Sequence, residues 1–386
     1  MLKILYHHRT SSKDGQAVHI EEMIAAFKAQ GHEVIIVAPA GRENTEFGVD
    51  DKRVAFLKRY MPRFCYELME LAYNWVAYRE LVKAIKLHQP DCIYERYNLF
   101  LLSGIWVKNR FNLPLILEVN SPIFEERLRY DGFSLHRIAK WCQSYIWKSA
   151  DFLLPVTQVM ADIVHQYGID SRKTLVIHNG INLHQFEQAA PSEAAKAALG
   201  LNNKLVLGFT GFIRKWHGLD KVIDMLANDA PNSARHLLVV GDGPERSNLE
   251  QQAKSLNIED RVSFTGVVER NQIPAYVALF DIALQPAVVP YASPLKLIEY
   301  LAAGKAIVAP DQPNIGELLT DQENALLFNP DQANSMPETI NRLCKDQALI
   351  ERLQKNARDT IVRKQLTWDE NAQKITRLIE GFKHHA

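Results

Sequence analysis

The sequence predicts an α/β protein built from two consecutive doubly wound domains, and three observations predict it. Short apolar runs bounded by turns recur along the chain, helical patterns lie between most of them, and the whole pattern restarts after a polar, alanine-rich connector. The length of 386 residues exceeds one typical domain and fits two or three.

In chain order, strand patterns stand at 2–8 ("LKILYHH"), 33–39 ("EVIIVAP"), 91–96 ("DCIYER"), 115–120 ("LILEVN") and 152–157 ("FLLPVT"), with helical periodicity over 19–30 and 66–88. "TLVIHNGIN" (174–182) is the last apolar run before the connector "LHQFEQAAPSEAAKAALG". Strands resume at 204–211 ("KLVLGFTG"), 236–243 ("HLLVVGDG"), 261–266, 281–286, 306–310 and 325–330. The tail 367–382 reads as a terminal amphipathic helix. The expected domains are therefore 1–183 and 184–365, followed by the helical tail 366–386.

Apolar residues make up 47% of the chain, enough for a substantial core, and the 23% that are charged suit a soluble globular protein. Lys+Arg and Asp+Glu both total 45, so bulk charge gives no case for nucleic acid, and any anion site must be local. The cysteines Cys65, Cys92, Cys142 and Cys344 have no metal-type spacing and read as reduced thiols. The start lacks a signal-peptide pattern and no run approaches the length of a membrane span, so a cytoplasmic location is expected.

In open parallel sheets ligands bind beyond the carboxyl ends of the strands. That selects 211–218, 241–245, 266–270 and the segment "YASPLKLIEYLAAG" (291–304) in the second domain, with 7–19 and 118–127 in the first. In 291–304, Ser293 suits an N-cap, Pro294 the first helical position and Gly304 the stop. Lys296 then falls in the first turn, against the helix dipole, unless an anion shares that helix start. Glu299 shares its face, while Leu295, Ile298 and Leu301 point to a core; a solvated Lys/Glu pair fits the same pattern. In "GFTGFIRKWHG" the glycines Gly208 and Gly211 flank a strand end, and Arg214 and Lys215 suit a diphosphate or a plain basic turn. Trp216 reads as a packing residue. His217 reads as a structural residue able to meet phosphate. "GDGPE" is a tight turn whose glycines read as conformational, with a bound nucleotide as the second possibility; no nicotinamide fingerprint, Walker A sequence or metal-binding cluster is visible.

Taken together, "GFTGFIRKWHG", "LLVVGDGPERSNLEQQAKSLNIEDRVSFTGVVERNQIPAYVALFDIALQP" and "SPLKLIEYLAAGKAIVAPDQPNIGELL" resemble the second domain of glycosyltransferase family 4. "DGQAVHIEEMIAAFKAQGHEVIIVAP" and "VIHNGIN" extend the resemblance over nearly the whole chain. It implies a GT-B fold, two Rossmann-like domains facing across a cleft with the C-terminal helix returning to the first domain. It also implies retaining, metal-independent transfer of a sugar from a nucleotide diphosphate donor, with UDP or GDP as its nucleotide and no cofactor. By position, Glu299 matches the glutamate that holds the donor ribose, and Ser293, Pro294 and Leu295 the segment that approaches the diphosphate. Val267 and Val268 match the base contacts, and Gly15 the first-domain glycine beside the donor phosphate.

The chain departs from the family pattern at three places. Tyr291 stands where a glutamate often contacts the donor sugar, Phe212 and His217 where an arginine and a lysine are common, and Asn120 where the family has a histidine. Arg214, Lys215 and Lys296 are the candidates for the displaced charge, Arg214 and Lys296 as the groups that stabilise the leaving diphosphate. Glu118 and Asn120 are candidates to orient the sugar or the attacking hydroxyl, or else to hold buried structure. His7, His8, Arg9 and His19 are expected near the cleft rim in mostly structural roles. The segment 54–86 mixes Lys58, Arg59 and Arg63 with Phe64, Tyr66, Leu68, Leu71, Tyr73 and Trp75. It suits peripheral contact with the inner face of a membrane and a lipid-linked acceptor, although core packing is the expectation for most of its apolar face. A nucleotide-sugar epimerase and a non-catalytic sugar-nucleotide binding protein are the alternatives to a transferase acting on a glycan or lipid-linked hydroxyl.

Overall fold

The computed structural model describes residues 1–10, 15–39, 61–191, 193–230 and 233–383. It forms two units. The first comprises Met1–His178, Tyr291–Ser293 and Trp368–Ala386, and the second Asn179–Pro290 and Pro294–Thr367. The junction thus lies at His178, five residues before the position read from sequence.

The first unit carries a parallel five-stranded sheet of β1 (Lys3–His7), β2 (Glu33–Val37), β3 (Cys92–Arg96), β4 (Leu115–Val119) and β5 (Phe152–Pro155), ordered β2-β1-β3-β4-β5. The second carries β6 (Leu205–Thr210), β7 (Arg235–Val240), β8 (Val262–Phe264), β9 (Ile282–Leu284), β10 (Ala306–Pro310) and β11 (Leu326–Phe328). Their order, β11-β10-β9-β6-β7-β8, is that of a dinucleotide-type Rossmann sheet, reversing direction between β6 and β9. Alternate strand residues serve opposite faces. Leu207, Phe209, Leu237 and Val239 enter one core, while Val206, Leu238, Val240 and Ala283 enter the other. Gly208 has no side chain because the ring of buried Phe280 occupies the space its Cβ would fill.

The run 174–182 is not a strand. Only isolated bridges form there, Leu153 with Thr174 and Ile181 with Thr367, because His178, Asn179 and Gly180 interrupt the apolar pattern. The apolar face expected for the helical run 66–88 is also corrected. This helix, Arg63–His88, buries Glu67, Glu70, Asn74, Ala77, Leu81 and Ile85, and leaves Phe64, Leu68 and Trp75 exposed. Each buried polar group has partners, as burial demands. Glu67 accepts the backbone N–H groups of Ser134 and Leu135 at 3.0 and 2.7 Å, and Glu70 accepts from Arg127 at 2.9 Å. Asn74 donates to the Phe100 carbonyl at 2.6 Å and accepts the N–H groups of Leu102 and Ser103, capping the helix Ser103–Phe111 from outside its own sequence. Leu71 still packs on the core, whereas Lys58 and Arg59 lie outside the described residues.

The terminal helix Trp368–Lys383 belongs to the first unit. Trp368 meets His19 edge-on at 4.9 Å, and Gln30 donates to the Asp369 carbonyl at 2.8 Å.

Candidate functional site

In the second unit the topological switch point opens beyond β6 and β9, between the loop from Gly211 and the loop from Gln285. The frame there is backbone laid on backbone. Gly211 N–H bonds the Val240 carbonyl at 2.9 Å and Ile213 N–H the Asp242 carbonyl at 2.8 Å, so the loops after β6 and β7 run together. A Cβ on Gly241 would overlap the Gly211 carbonyl oxygen, and one on Gly243 the Ile213 carbonyl oxygen. Gly241 also sits at φ +137°, so the conformational reading of "GDGPE" holds.

The helix Leu295–Ala302 enters this frame. Its start lies one residue later than expected. Pro294 is the N-cap, with no side-chain cap, and Ser293 belongs with the first unit. Lys296 is therefore the second residue of the helix, in the turn whose N–H groups have no intrahelical carbonyl. Leu297, Ile298 and Leu301 are buried and Leu295 only half-buried, correcting the expected core role of Leu295. The Lys296 ammonium lies 3.8 Å from the ring centroid of buried Phe209, and its Nζ is 3.3 Å from where a Gly211 Cβ would stand. Glycine at 211 is required by its φ of +128°, while a Cβ there would only press lightly on the lysine's tip. Burial brings the Lys296 pKa down to about 7, against the opposing pull of Glu299. Glu299 is itself raised by burial, opposed by Arg270, Lys296 and a hydrogen bond with Thr210. Thr210 is fixed in turn, its N–H donating to the Tyr300 hydroxyl at 2.8 Å.

Arg214 is half-buried, with its guanidinium carbon 4.7 Å from the Phe212 ring and 5.0 Å from the Trp216 ring. Trp216 is 53% exposed, which corrects the expectation that it is a packing residue. His217 Nδ1 accepts the Arg214 N–H at 3.3 Å. Burial, with Lys296 and Arg214 nearby, lowers the His217 pKa to about 2, so this ring is neutral at ordinary pH. Lys215 is exposed and, with Arg214, Asp220 and Glu245, lines a shallow cavity of about 100 Å³. The two carboxylates make that cavity a poor anion site. Val267 is exposed and Val268 packs partly into the core, both just past β8.

The first-unit candidates form a separate group. Glu118, on β4, is almost wholly buried, and its carboxylate accepts from Arg96, Asn120 and Tyr94, the last at 3.0 Å, with His19 Nδ1 at 3.4 Å. Burial alone would raise Glu118, but His19, Arg96 and the hydrogen bonds from Asn120 and Tyr94 hold it below the usual range. Burial takes His19 to about 4, opposed by Glu118 and reinforced by Arg96. Gly15 opens the helix Gly15–Ala29 and is exposed. His7 is buried against Glu95 at 2.5 Å, and Arg9 lies 3.6 Å from Glu70. Tyr291 donates its hydroxyl to Glu126, which also accepts Ser121 Oγ at 3.0 Å, while the Tyr291 carbonyl accepts Thr157 Oγ1 at 2.9 Å.

Sequence reasoning missed Phe209, Thr210 and Tyr300, which place the Lys296 and Glu299 side chains. A strand-end Phe-Thr pair carries no local mark of a ligand role.

Two doubly wound parallel sheets, one in Rossmann order with cations at its switch point, define the class as a two-domain GT-B protein. A family model for glycosyl transferases group 1 matches residues 191–360, and one for glycosyltransferase family 4 matches residues 13–185. The chain belongs to this family, the group 1 glycosyltransferases of family 4 type, and is an enzyme that uses a nucleotide-sugar donor. It is 23% identical to an alpha-monoglucosyldiacylglycerol synthase of Streptococcus pneumoniae over 81% of this chain and 72% of the relative. It is also 23% identical to a mannosylfructose-phosphate synthase of Agrobacterium fabrum, over 95% and 86% of the two chains. Among solved structures, Anabaena HepE in complex with UDP superposes with a TM-score of 0.77 at 19% identity, over 98% of this chain and all of that one.

Proposed function

We propose that the chain transfers a sugar with retention of configuration, without a metal ion, from a UDP- or GDP-sugar to a hydroxyl of a glycan or lipid-linked acceptor in polysaccharide or glycoconjugate synthesis. The observation that carries the donor half is the pairing of Lys296 and Glu299 on one helix start at the β6/β9 switch point, each fixed by strand-end residues. In this reading Glu299 accepts the ribose hydroxyls. Lys296 and Arg214, with the first N–H groups of the helix, stabilise the charge that builds on the diphosphate as the glycosidic bond breaks. Leu295 and Gly211 let the phosphate approach the backbone, and Val267 and Val268 border the base. Pro294 offers no N–H, and Lys215 contributes at longer range. The bonds Glu118 accepts from Arg96, Asn120 and Tyr94 support a part for it in orienting Asn120, and in this reading Asn120 touches sugar or acceptor.

The test is incubation of the protein with labelled UDP- and GDP-sugars and a membrane or glycan extract, with and without EDTA. Retained-configuration transfer that survives EDTA is expected. Epimerised donor without transfer, or binding with no turnover, would replace this reading with one of its two alternatives.

Among the described residues no helix is long and apolar enough to cross a membrane. The exposed side of the helix Arg63–His88 supports a peripheral role at the cytoplasmic face. Phe64, Leu68 and Trp75 lie within about 40° of one another on it, beside Arg79, Lys83 and Lys86, while Glu67 and Glu70 turn inward. Binding to phosphatidylglycerol vesicles but not to phosphatidylcholine vesicles is expected, and loss of it in Phe64→Ser/Trp75→Ser. Equal binding to both vesicle types would argue against the charge component.

A further inference from the structure

The geometry points to Phe212 and Trp216 as positioning residues that hold the Arg214 guanidinium ready for the donor diphosphate. This inference rests on the diphosphate reading of the loop.

Arg214 is extended, at φ −127° and ψ 154°, so the side chain two residues before it falls on the same side of the chain. That places the Phe212 ring 4.7 Å from the guanidinium carbon. The backbone then turns through the short 3₁₀ segment Lys215–His217 and brings the Trp216 ring to 5.0 Å from the same carbon. The turn is fixed from beneath. His217 Nδ1 takes the Arg214 N–H, and Gly218, at φ +70°, packs against Ala287 and Pro286.

A ring contact has a different consequence from an ion pair. Three other arginines of this unit are neutralised, Arg235 and Arg261 by Asp229 and Arg246 by Asp242 and Glu250. Asp220 and Glu245 line the cavity beside Arg214, yet among the described residues no carboxylate pairs with it. Aromatic faces restrict where a guanidinium lies while leaving its charge whole and its N–H fork free at the edge for bidentate contact with phosphate. They also account for a tryptophan left more than half exposed, which packing does not. Phe212, at the position where an arginine is common in the family, is then part of the device that holds the charge two residues further on.

The test measures UDP and GDP affinity by calorimetry for wild type, Arg214→Ala, Trp216→Ala, Trp216→Phe and the double variant Arg214→Ala/Trp216→Ala, with uridine and guanosine as phosphate-free controls. Thermal melts establish that each variant is folded. Arg214→Ala is expected to weaken diphosphate binding at least tenfold and Trp216→Ala by about three- to tenfold, with Trp216→Phe restoring most of that loss. In the Arg214→Ala background, removing Trp216 should change nothing further, and nucleoside binding should be untouched by either. If Trp216→Ala costs as much without Arg214 as with it, or weakens nucleoside binding equally, Trp216 contacts ligand itself and the positioning role is overturned. An Arg214→Ala protein that binds diphosphate normally overturns the reading on which the inference rests.

Discussion

Lys296 gives the sharpest prediction because its two states are separated by the donor. In the free protein burial holds its pKa near 7, with Glu299 pulling the other way. A diphosphate at the helix start favours the ammonium, so binding should raise that pKa and take up a proton above neutrality. The sign follows directly. Donor affinity is highest below pH 7, where the lysine is already charged, and weakens by up to about tenfold per pH unit above it, until the bound-state pKa is reached. For size, unit charges 4 Å apart interact by about 4 kcal/mol at an effective dielectric of 20, and charged hydrogen bonds contribute about 1.5–3 kcal/mol on truncation. Lys296→Met keeps a chain to pack on Phe209 and should weaken UDP or GDP binding by roughly ten- to a hundredfold at pH 6.5. Calorimetry between pH 6 and 9, in buffers of different ionisation enthalpy, reads both affinity and protons taken up. The same depressed pKa opposes folding at low pH. Stability should rise by up to about 1.4 kcal/mol per pH unit as the pH climbs from 7 to the unfolded value of 10.5, and Lys296→Met should abolish that rise. A flat affinity profile in the wild type, or unchanged binding by Lys296→Met, would refute the diphosphate role.

Three further outcomes are expected. Glu299→Ala should raise the donor KM at least tenfold with a smaller change in kcat, as loss of a ground-state ribose contact requires, and a selective fall in kcat would point elsewhere. Gly243→Ala should cost about 1–3 kcal/mol in chemical denaturation, since its Cβ has no space beside the Ile213 carbonyl; a neutral result would mean the loops separate easily. Glu118→Gln should destabilise by about 3–5 kcal/mol by leaving Arg96 buried without its carboxylate, and a stable, inactive variant would instead assign Glu118 a direct catalytic role.

The two-sheet architecture was legible because every strand of both sheets is an apolar run closed by a turn, and such runs survive without knowledge of their partners. The limits lie in elements whose partners are distant in sequence. The helix Arg63–His88 reads as apolar outside a structure, yet its buried face is set by Ser134, Leu135 and the start of the helix Ser103–Phe111, none of which its own periodicity reports. Lys296 and Glu299 stood out because a first-turn lysine conflicts with the helix dipole, a purely local signal. Phe209, Thr210 and Tyr300, which hold that pair in place, conflict with nothing local. Likewise Tyr291 announced a departure at its position, but only the fold shows its hydroxyl spent on Glu126.

The joined loops beyond β6 and β7 bear on how such a site can change over time. Because Gly211, Gly241 and Gly243 bring main chain against main chain, the course of these loops depends little on the exposed side chains Lys215 and Trp216. Exposed residues there can be exchanged while the path of the chain stays put. Variation is thus open at the exposed positions and closed at Gly241 and Gly243, where a Cβ would meet a carbonyl oxygen.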